Sequence, residues 1–282
     1  MLPMLERTIR QQMKEIGLER LTAPILARTR PSIRLTAGGP SSEPVSRLGG
    51  QPNLPKDIPW PVWQEKRPLS FLAQFDLAQL PAIDSLDRPR NGSWLFFYDC
   101  DAMPAGYDPE ERNGAQVFYV TGPLAAHDAR AWHDDLAPEF RYQGFALSAY
   151  PAVSLPEMDR AFMNEYQVTG EELSAYLNLA PLAYGEHRMG GNAVPMNGGD
   201  PRLEAQLVSH GINCGYPDGY DEGRRLGLDA GAADWLLLLQ LDSGGDCAGM
   251  DWNDGGRIYF MIHKDDLRHR RFQNVHLTLQ WI

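Results

Sequence analysis

Two short stretches, Phe71-Leu-Ala-Gln-Phe-Asp76 and Gly92-Ser-Trp-Leu-Phe-Phe97, decide how the chain is organised, because their order recurs later in the sequence. The later copies are Leu238-Leu-Gln-Leu-Asp242 and Gly256-Arg-Ile-Tyr-Phe260. The separation from glutamine to glycine is 18 residues in the first copy (74 to 92) and 16 in the second (240 to 256). Such conserved order at similar spacing indicates that both stretches belong to one repeated unit.

A Gly-Gly pair precedes each copy, as Gly49-Gly50 in the first and Gly190-Gly191 in the second. The separation from the pair to the glutamine is 24 residues (50 to 74) in one case and 49 (191 to 240) in the other, so the second copy holds an insertion of about 25 residues. Three ordered matches favour a duplication. We therefore predict two related halves, residues 1–150 and 151–282, packed into one compact unit.

The local patterns predict an α+β fold in which each half has a helical lead-in and an antiparallel sheet. Apolar residues recur on one helical face between Leu5 and Ile16. Ser154 and Thr169 each precede a glutamate by three residues, the pattern of a capping box at a helix start. Segments 32–37 and 275–282 alternate as strands do, and the strand segments end at glycines or Asn-Gly, which favours antiparallel strands joined by turns.

Composition places the chain among ordinary globular proteins. Of 282 residues, 43% are hydrophobic and 22% are charged, so a sizeable core is expected. The three cysteines are widely spaced and form no Cys-x-x-Cys pair, which argues against a disulfide framework or a zinc ribbon. The N-terminus lacks the pattern of a signal peptide, and we expect a cytoplasmic protein.

The charge distribution bears on the kind of partner. The net charge is -11, and residues 218–254 contribute nine acidic residues against two arginines. Such a surface repels phosphate backbones, so no nucleic-acid partner is expected. It attracts a basic protein instead, although solubility alone is an equal explanation.

No motif in the sequence identifies a catalytic or cofactor site. Gly-x-Ser-x-Gly, a phosphate-binding glycine loop and His-Glu-x-x-His are all absent, so we predict no catalytic residue, no cofactor and no metal. The acidic, glycine-rich segment 242–254 could hold calcium or magnesium but does not fit the EF-hand spacing. Gln74 and Gln240 lie inside apolar strands, where each amide either ties down a loop or contacts a ligand between the halves.

Exposed acidic and aromatic groups are the candidate contacts for a protein partner. The candidate residues are Asp221, Glu222, Asp246, Asp251, Trp252, Asp254, Trp60 and Trp63. The tryptophans at 60 and 63 lie in a proline-braced loop, which can present a recognition surface or can cover the core. The same alternatives hold for the tryptophan at 252.

Several of these stretches resemble the YwqG-like family of bacterial proteins. The matching segments are Leu48-Gly-Gly-Gln-Pro-Asn-Leu-Pro55, Ile58–Pro61, Pro68–Asp76, Gly92–Phe97, His187-Arg-Met-Gly-Gly191 with Glu204-Ala-Gln206, and Met250–Phe260. The resemblance covers roughly residues 32–282, with Asn253 in place of the usual glycine and an extra stretch between Gly191 and Gln206. It implies an α+β fold with an internal repeat, and it carries no established chemistry that could be transferred.

Members of that family resemble components of toxin–immunity loci. The resemblance therefore implies a non-catalytic, intracellular protein-binding module, an immunity-type inhibitor of a cytoplasm-acting toxin whose partner is a basic toxin domain. A small-ligand-binding protein, or an enzyme of unknown reaction with a pocket between the two halves, is the alternative. A deep cleft with convergent polar groups would favour the alternative.

Overall fold

The computed structural model describes residues 2–43, 45–64, 67–179, 187–196, 198–225, 227–243 and 248–281. The α-helices of these ranges are α1 (Leu2–Glu15), α2 (Thr22–Arg28), α3 (Arg160–Tyr166), α4 (Gly170–Leu177), α5 (Pro201–Ser209), α6 (Glu222–Arg225) and α7 (Lys264–Arg268). The strands are β1 (Arg30–Pro40), β2 (Arg47–Leu48), β3 (Val62–Trp63), β4 (Arg67–Pro68), β5 (Ser70–Asp76), β6 (Ser93–Tyr98), β7 (Ala115–Val120), β8 (Phe145–Ser154), β9 (His187–Met189), β10 (Trp235–Asp242), β11 (Arg257–His263) and β12 (His276–Gln280).

Ten of these strands form one antiparallel sheet, as the glycine-bounded strand patterns predicted. Their order is β12-β11-β10-β9-β1-β8-β2-β5-β6-β7. The central pair is β1 and β8, and a four-stranded block lies on each side of it. We call β2-β5-β6-β7 the first block and β9-β10-β11-β12 the second block. The long strand β1 pairs with β9 of the second block, and the long strand β8 pairs with β2 of the first block. Each long strand therefore borders the block that follows the other long strand in the sequence.

The two blocks share their register around the glutamines. Gln74 of β5 lies opposite Arg47 of β2, and Gln240 of β10 lies opposite Arg188 of β9. In each block the pairing with the next strand shifts two residues before the glutamine, between Phe71 and Ala73 and between Leu237 and Leu239. A bulge changes the direction in which the following side chains point. Because the bulge lies at the same distance from both glutamines, their side-chain amides occupy equivalent positions in the two blocks.

The blocks fold over a common hydrophobic core. Buried residues of β5 and β6 form one cluster with buried residues of β10, β11 and β12. At the centre of the cluster the rings of Phe96 and Phe260 lie 5.0 Å apart at 78°, an edge-to-face contact. The predicted division at residues 150 and 151 falls inside β8, in a continuous sheet.

The helices at the N-terminus pack with α3 and α4 into a separate apolar cluster. The predicted capping box at Thr169 and Glu172 begins α4, as expected. The capping box predicted at Ser154 was wrong, because this residue ends β8 and its hydroxyl accepts a hydrogen bond from the Asn192 amide at 2.7 Å. The helix begins at Arg160 instead, where Asp159 caps it.

Each block is also covered by a connection from the other. In the connection between β6 and β7, the Ala105 carbonyl accepts a hydrogen bond from the Leu279 amide of β12 at 2.9 Å. From the other side, the segment before β12 places Phe272 against Tyr119 of β7, with ring centroids 5.6 Å apart. Every helix in the ranges given above is too short or too polar to cross a lipid bilayer.

Candidate functional site

The two strand glutamines tie loops to their own blocks. Gln74 and Gln240 are fully buried. The Gln74 side-chain oxygen accepts from the Asn53 amide at 3.0 Å, and the Gln240 oxygen accepts from the Val194 amide at 3.1 Å. Asn53 and Val194 each lie three residues after a Gly-Gly pair, Gly49-Gly50 and Gly190-Gly191. The amides therefore satisfy buried backbone donors, which is the loop-tying role of the two that the sequence left open.

The three candidate tryptophans lie in the interior. Trp60, Trp63 and Trp252 keep only 6%, 9% and 1% of their surface exposed. Trp60 packs edge-to-face on Phe97 and donates from its indole N–H to the Leu69 carbonyl at 3.0 Å. Trp252 contacts Tyr98 across the common core. A partner contact needs exposed rings, so this part of the candidate set was wrong, and the loops cover the core instead.

The acidic candidates lie in two different loops. Asp221 is exposed after the short turn at Pro217–Tyr220, and Glu222 begins α6. Asp251 and Asp254 are exposed in the β10–β11 hairpin, where an Asp251 carboxylate oxygen accepts from the Gly255 amide at 2.9 Å. Asp246 lies outside the described residues.

A cleft of about 730 Å³ separates the β6–β7 connection from the second block. One wall is residues 104–113, and the other is the C-terminal end of α5 with residues 209–211. Trp235, His263 and His276 belong to its lining. The cleft thus lies where the two blocks meet and where polar side chains from distant segments converge, as ligand sites commonly do.

Two of the three histidines in the cleft lining pack against one indole. The ring of Trp235 lies 5.8 Å from that of His263 and 6.3 Å from that of His276, edge-to-face in both cases. The indole N–H donates to the Gln206 side-chain oxygen at 2.8 Å, which fixes the orientation of the ring. The second block therefore contributes a small aromatic surface of fixed orientation to the cleft, since Trp235 is 5% exposed.

His276 is the polar group in this lining that the fold leaves unsatisfied. Its Nε2 atom is buried and has no hydrogen-bond partner in the described part of the chain. Burial lowers the pKa of His276 to about 4, with a smaller contribution from the Arg112 charge, so the imidazole is neutral at physiological pH. A buried polar atom without a partner costs about 1–3 kcal/mol. Such a group needs a reason to persist.

A second buried titratable group lies beside the cleft, on α5. Glu204 is 1% exposed, and both of its carboxylate oxygens lie 3.4 Å from the Gln280 amide nitrogen of β12. Burial raises the pKa of Glu204 to about 7. The Gln280 side-chain oxygen accepts from the Met196 amide at 3.0 Å, so this network connects α5 to the 192–196 loop.

Metal and thiol chemistry find little support in the described ranges. Those ranges contain no group of three or more His, Cys, Asp or Glu side chains placed to hold a metal ion. Burial raises the pKa of the Cys100 thiol to about 12 and that of Cys214 to about 11, which keeps both thiols protonated.

Sequence reasoning missed the cleft residues, because they are spread over separate segments. His276 was noted only as part of the last strand, and Arg112 and Trp235 drew no attention. The single available signal was that His263 ends one apolar strand and His276 begins another, in a chain with only seven histidines.

A family model described as "Domain of unknown function (DUF1963)" matches residues 46–280. No curated protein matches the chain.

Proposed function

Because the chain belongs to the DUF1963 family, whose description names no activity, we propose a function from geometry: the protein binds a small polar ligand in the cleft between its two halves. The volume of about 730 Å³ lies within the range of small-molecule sites. The lining comes from both blocks, so a ligand would contact residues of each. This is the alternative given by the sequence, a small-ligand-binding protein with a pocket between its two halves.

The proposal also treats the halves as copies of one unit. Matching side-chain contacts support this: the Asp76 amide donates to the Ser46 hydroxyl at 3.0 Å, and the Asp242 amide donates to Nδ1 of His187 at 3.2 Å. These pairs occupy the same register relative to Gln74 and Gln240. The shared strand order favours a start of the second unit at β8, close to the predicted division at 151. Features common to both units would then be scaffold, and the cleft groups have no such counterpart.

One observation carries the ligand proposal. The His276 imidazole belongs to the cleft lining, yet its Nε2 is buried and has no hydrogen-bond partner among the residues that the structure describes. A structure selected for stability alone would replace this ring with an apolar one at a gain of about 1–3 kcal/mol. Retention of an unsatisfied group in a cavity is typical of binding sites, where stability is given up for function.

The test compares two histidines whose Nε2 atoms are both buried without a hydrogen-bond partner in the described chain. Nε2 of His127 is also buried without a partner in the described chain, but His127 does not line the cleft. His276→Phe and His127→Phe each remove one unsatisfied nitrogen, and we expect both variants to be at least as stable as the wild type. A thermal-shift screen with small polar fragments should then give hits on the wild type and on His127→Phe.

The same hits should be lost on His276→Phe. A screen that yields no hit on the wild type would contradict the proposal. So would hits that stabilise His276→Phe as strongly as the wild type, because the ligand would then bind elsewhere.

A protein partner is the second candidate, and it stays a prediction. The exposure of Asp221, Asp251 and Asp254 favours it, because carboxylates at a surface can meet a basic toxin domain. Asp221→Asn with Asp251→Asn and Asp254→Asn should then weaken binding to a toxin encoded beside this gene. The cleft variant His276→Phe should leave that binding unchanged.

A further inference from the structure

We infer that the ligand of the cleft is a small organic cation, an alkylammonium or guanidinium compound. This inference rests on the proposed function and adds the chemical class of the ligand. Three observations support it: two carboxylates of the lining lack a cationic partner, they can accept further hydrogen bonds, and an indole belongs to the lining.

Four carboxylates line the cleft, and two of them already have cationic partners. Asp234 pairs with the Lys264 ammonium at 2.5 Å, and Asp266 pairs with the Arg271 guanidinium at 2.6 Å. Those two charges are compensated within the fold. They therefore do not decide the charge of a ligand.

Within the ranges that the structure describes, the other two carboxylates, Asp108 and Glu111, accept hydrogen bonds only from amide groups. Asp108 accepts from the Glu110 backbone at 2.9 Å and from the Asn213 side chain at 2.5 Å. Glu111 accepts from the Gly106 backbone at 2.7 Å. No ion pair in the described chain includes either carboxylate. An ionised carboxylate has about four acceptor positions, so both can accept further hydrogen bonds.

Arg112 is the one arginine or lysine among the described residues of the lining, and it does not balance these charges. Its guanidinium is turned to the Asn274 side-chain oxygen at 3.2 Å. His276 adds no positive charge, since burial lowers its pKa to about 4. The lining therefore keeps a negative excess, and a cationic ligand is the species that it attracts.

The remaining groups suit the same ligand. The imidazole of His276 is neutral at physiological pH, so it does not repel a cation as a charged ring would. The indole of Trp235 offers a π-system for a cation, worth about 0.5–2 kcal/mol. A carboxylate ligand would meet Asp108 and Glu111 at close range. A neutral ligand would leave both charges without a partner.

The experiment uses three probes of one shape and three charges: n-butylammonium, n-butanol and butyrate. Isothermal titration on the intact protein should show n-butylammonium binding at least tenfold more tightly than the other two. Asp108→Asn with Glu111→Gln removes both charges and leaves one acceptor oxygen on each side chain, so the bonds from the Glu110 and Gly106 amides can remain while the bond from the Asn213 side chain is lost. This double variant should lose at least tenfold in n-butylammonium affinity.

Asp254→Asn is the matched control, since it removes an exposed carboxylate outside the cleft and should change nothing. Equal or tighter binding of butanol or butyrate in the cleft would overturn the ligand class but leave the proposed function standing. An equal loss in the Asp254→Asn variant would overturn the ligand class too, because the attraction would then be unspecific. Absence of binding by all three probes and by every screened fragment would overturn both.

Discussion

Replacement of Gly106 by alanine tests how the wall of the cleft is held. Gly106 lies in the β6–β7 connection with φ at +80°, in the left-handed region. An added Cβ would lie 1.7 Å from the Leu277 carbonyl oxygen and 2.8 Å from its carbon, both of which are backbone atoms of β12. Because neither atom belongs to a flexible side chain, the wall has to move away from the strand.

The magnitude follows from three contributions. An L-residue in the left-handed region costs about 1–2 kcal/mol. Overpacking against backbone costs typically 1–3 kcal/mol. Separation of the wall from β12 breaks the hydrogen bond from Leu279 to Ala105, worth about 1 kcal/mol. Gly106→Ala should therefore lower the free energy of unfolding by roughly 3–6 kcal/mol.

Gly17→Ala separates the backbone contribution from the steric one. Gly17 has φ at +75° and no atom within 4 Å of an added Cβ, so only the cost of about 1–2 kcal/mol applies. The assay is denaturant unfolding of both variants, with hydrogen exchange of the Leu279 amide as a local reading. Equal losses in the two variants, with unchanged exchange at Leu279, would refute the reasoning, because the wall would then not rest on β12.

Two further predictions concern the buried polar groups. The pKa of Glu204 rises from an ordinary 4.5 to about 7 in the folded protein, so the folded state binds the proton more tightly than the unfolded chain. The contribution of this group to stability should fall by roughly 3 kcal/mol between pH 4.5 and 7, and Glu204→Gln should flatten that part of a denaturation-versus-pH curve; an unchanged slope would contradict the pKa shift. Gln74→Leu and Gln240→Leu each leave a buried backbone N–H without its acceptor, so each should cost about 1–3 kcal/mol in denaturant unfolding. A neutral effect in either variant would mean that its loop is held by other contacts.

The sequence predicted those parts of the fold that depend on local pattern. The β5, β6, β10 and β11 strands follow from apolar stretches bounded by glycines, and α4 begins at its capping box. Ser154 shows where local pattern fails. Its hydroxyl and the glutamate three residues later match the capping-box pattern of a helix start. The residue is instead part of β8, because it pairs with Arg30 of β1. A pattern of neighbouring residues does not contain such a long-range pairing.

The candidate site was predicted less well, for a physical reason. Trp252 lies between acidic residues in a glycine-rich segment, and nothing in the neighbouring residues reveals that its ring enters the core beside Tyr98. Exposure is a property of the assembled blocks. The same holds for the cleft, since Arg112 and His276 come together only when the β6–β7 connection crosses to β12.

The most direct test of the account is whether the cleft is a binding site and not a packing defect. Protein labelled with ¹⁵N in its histidine rings can be titrated with a fragment that binds, while the ring-nitrogen signals are followed by NMR. We predict that the signals of His276 and His263 shift together and saturate, while those of His127 stay in place. A His127 signal that moves as much as that of His276, or cleft signals that do not move at all, would contradict the account.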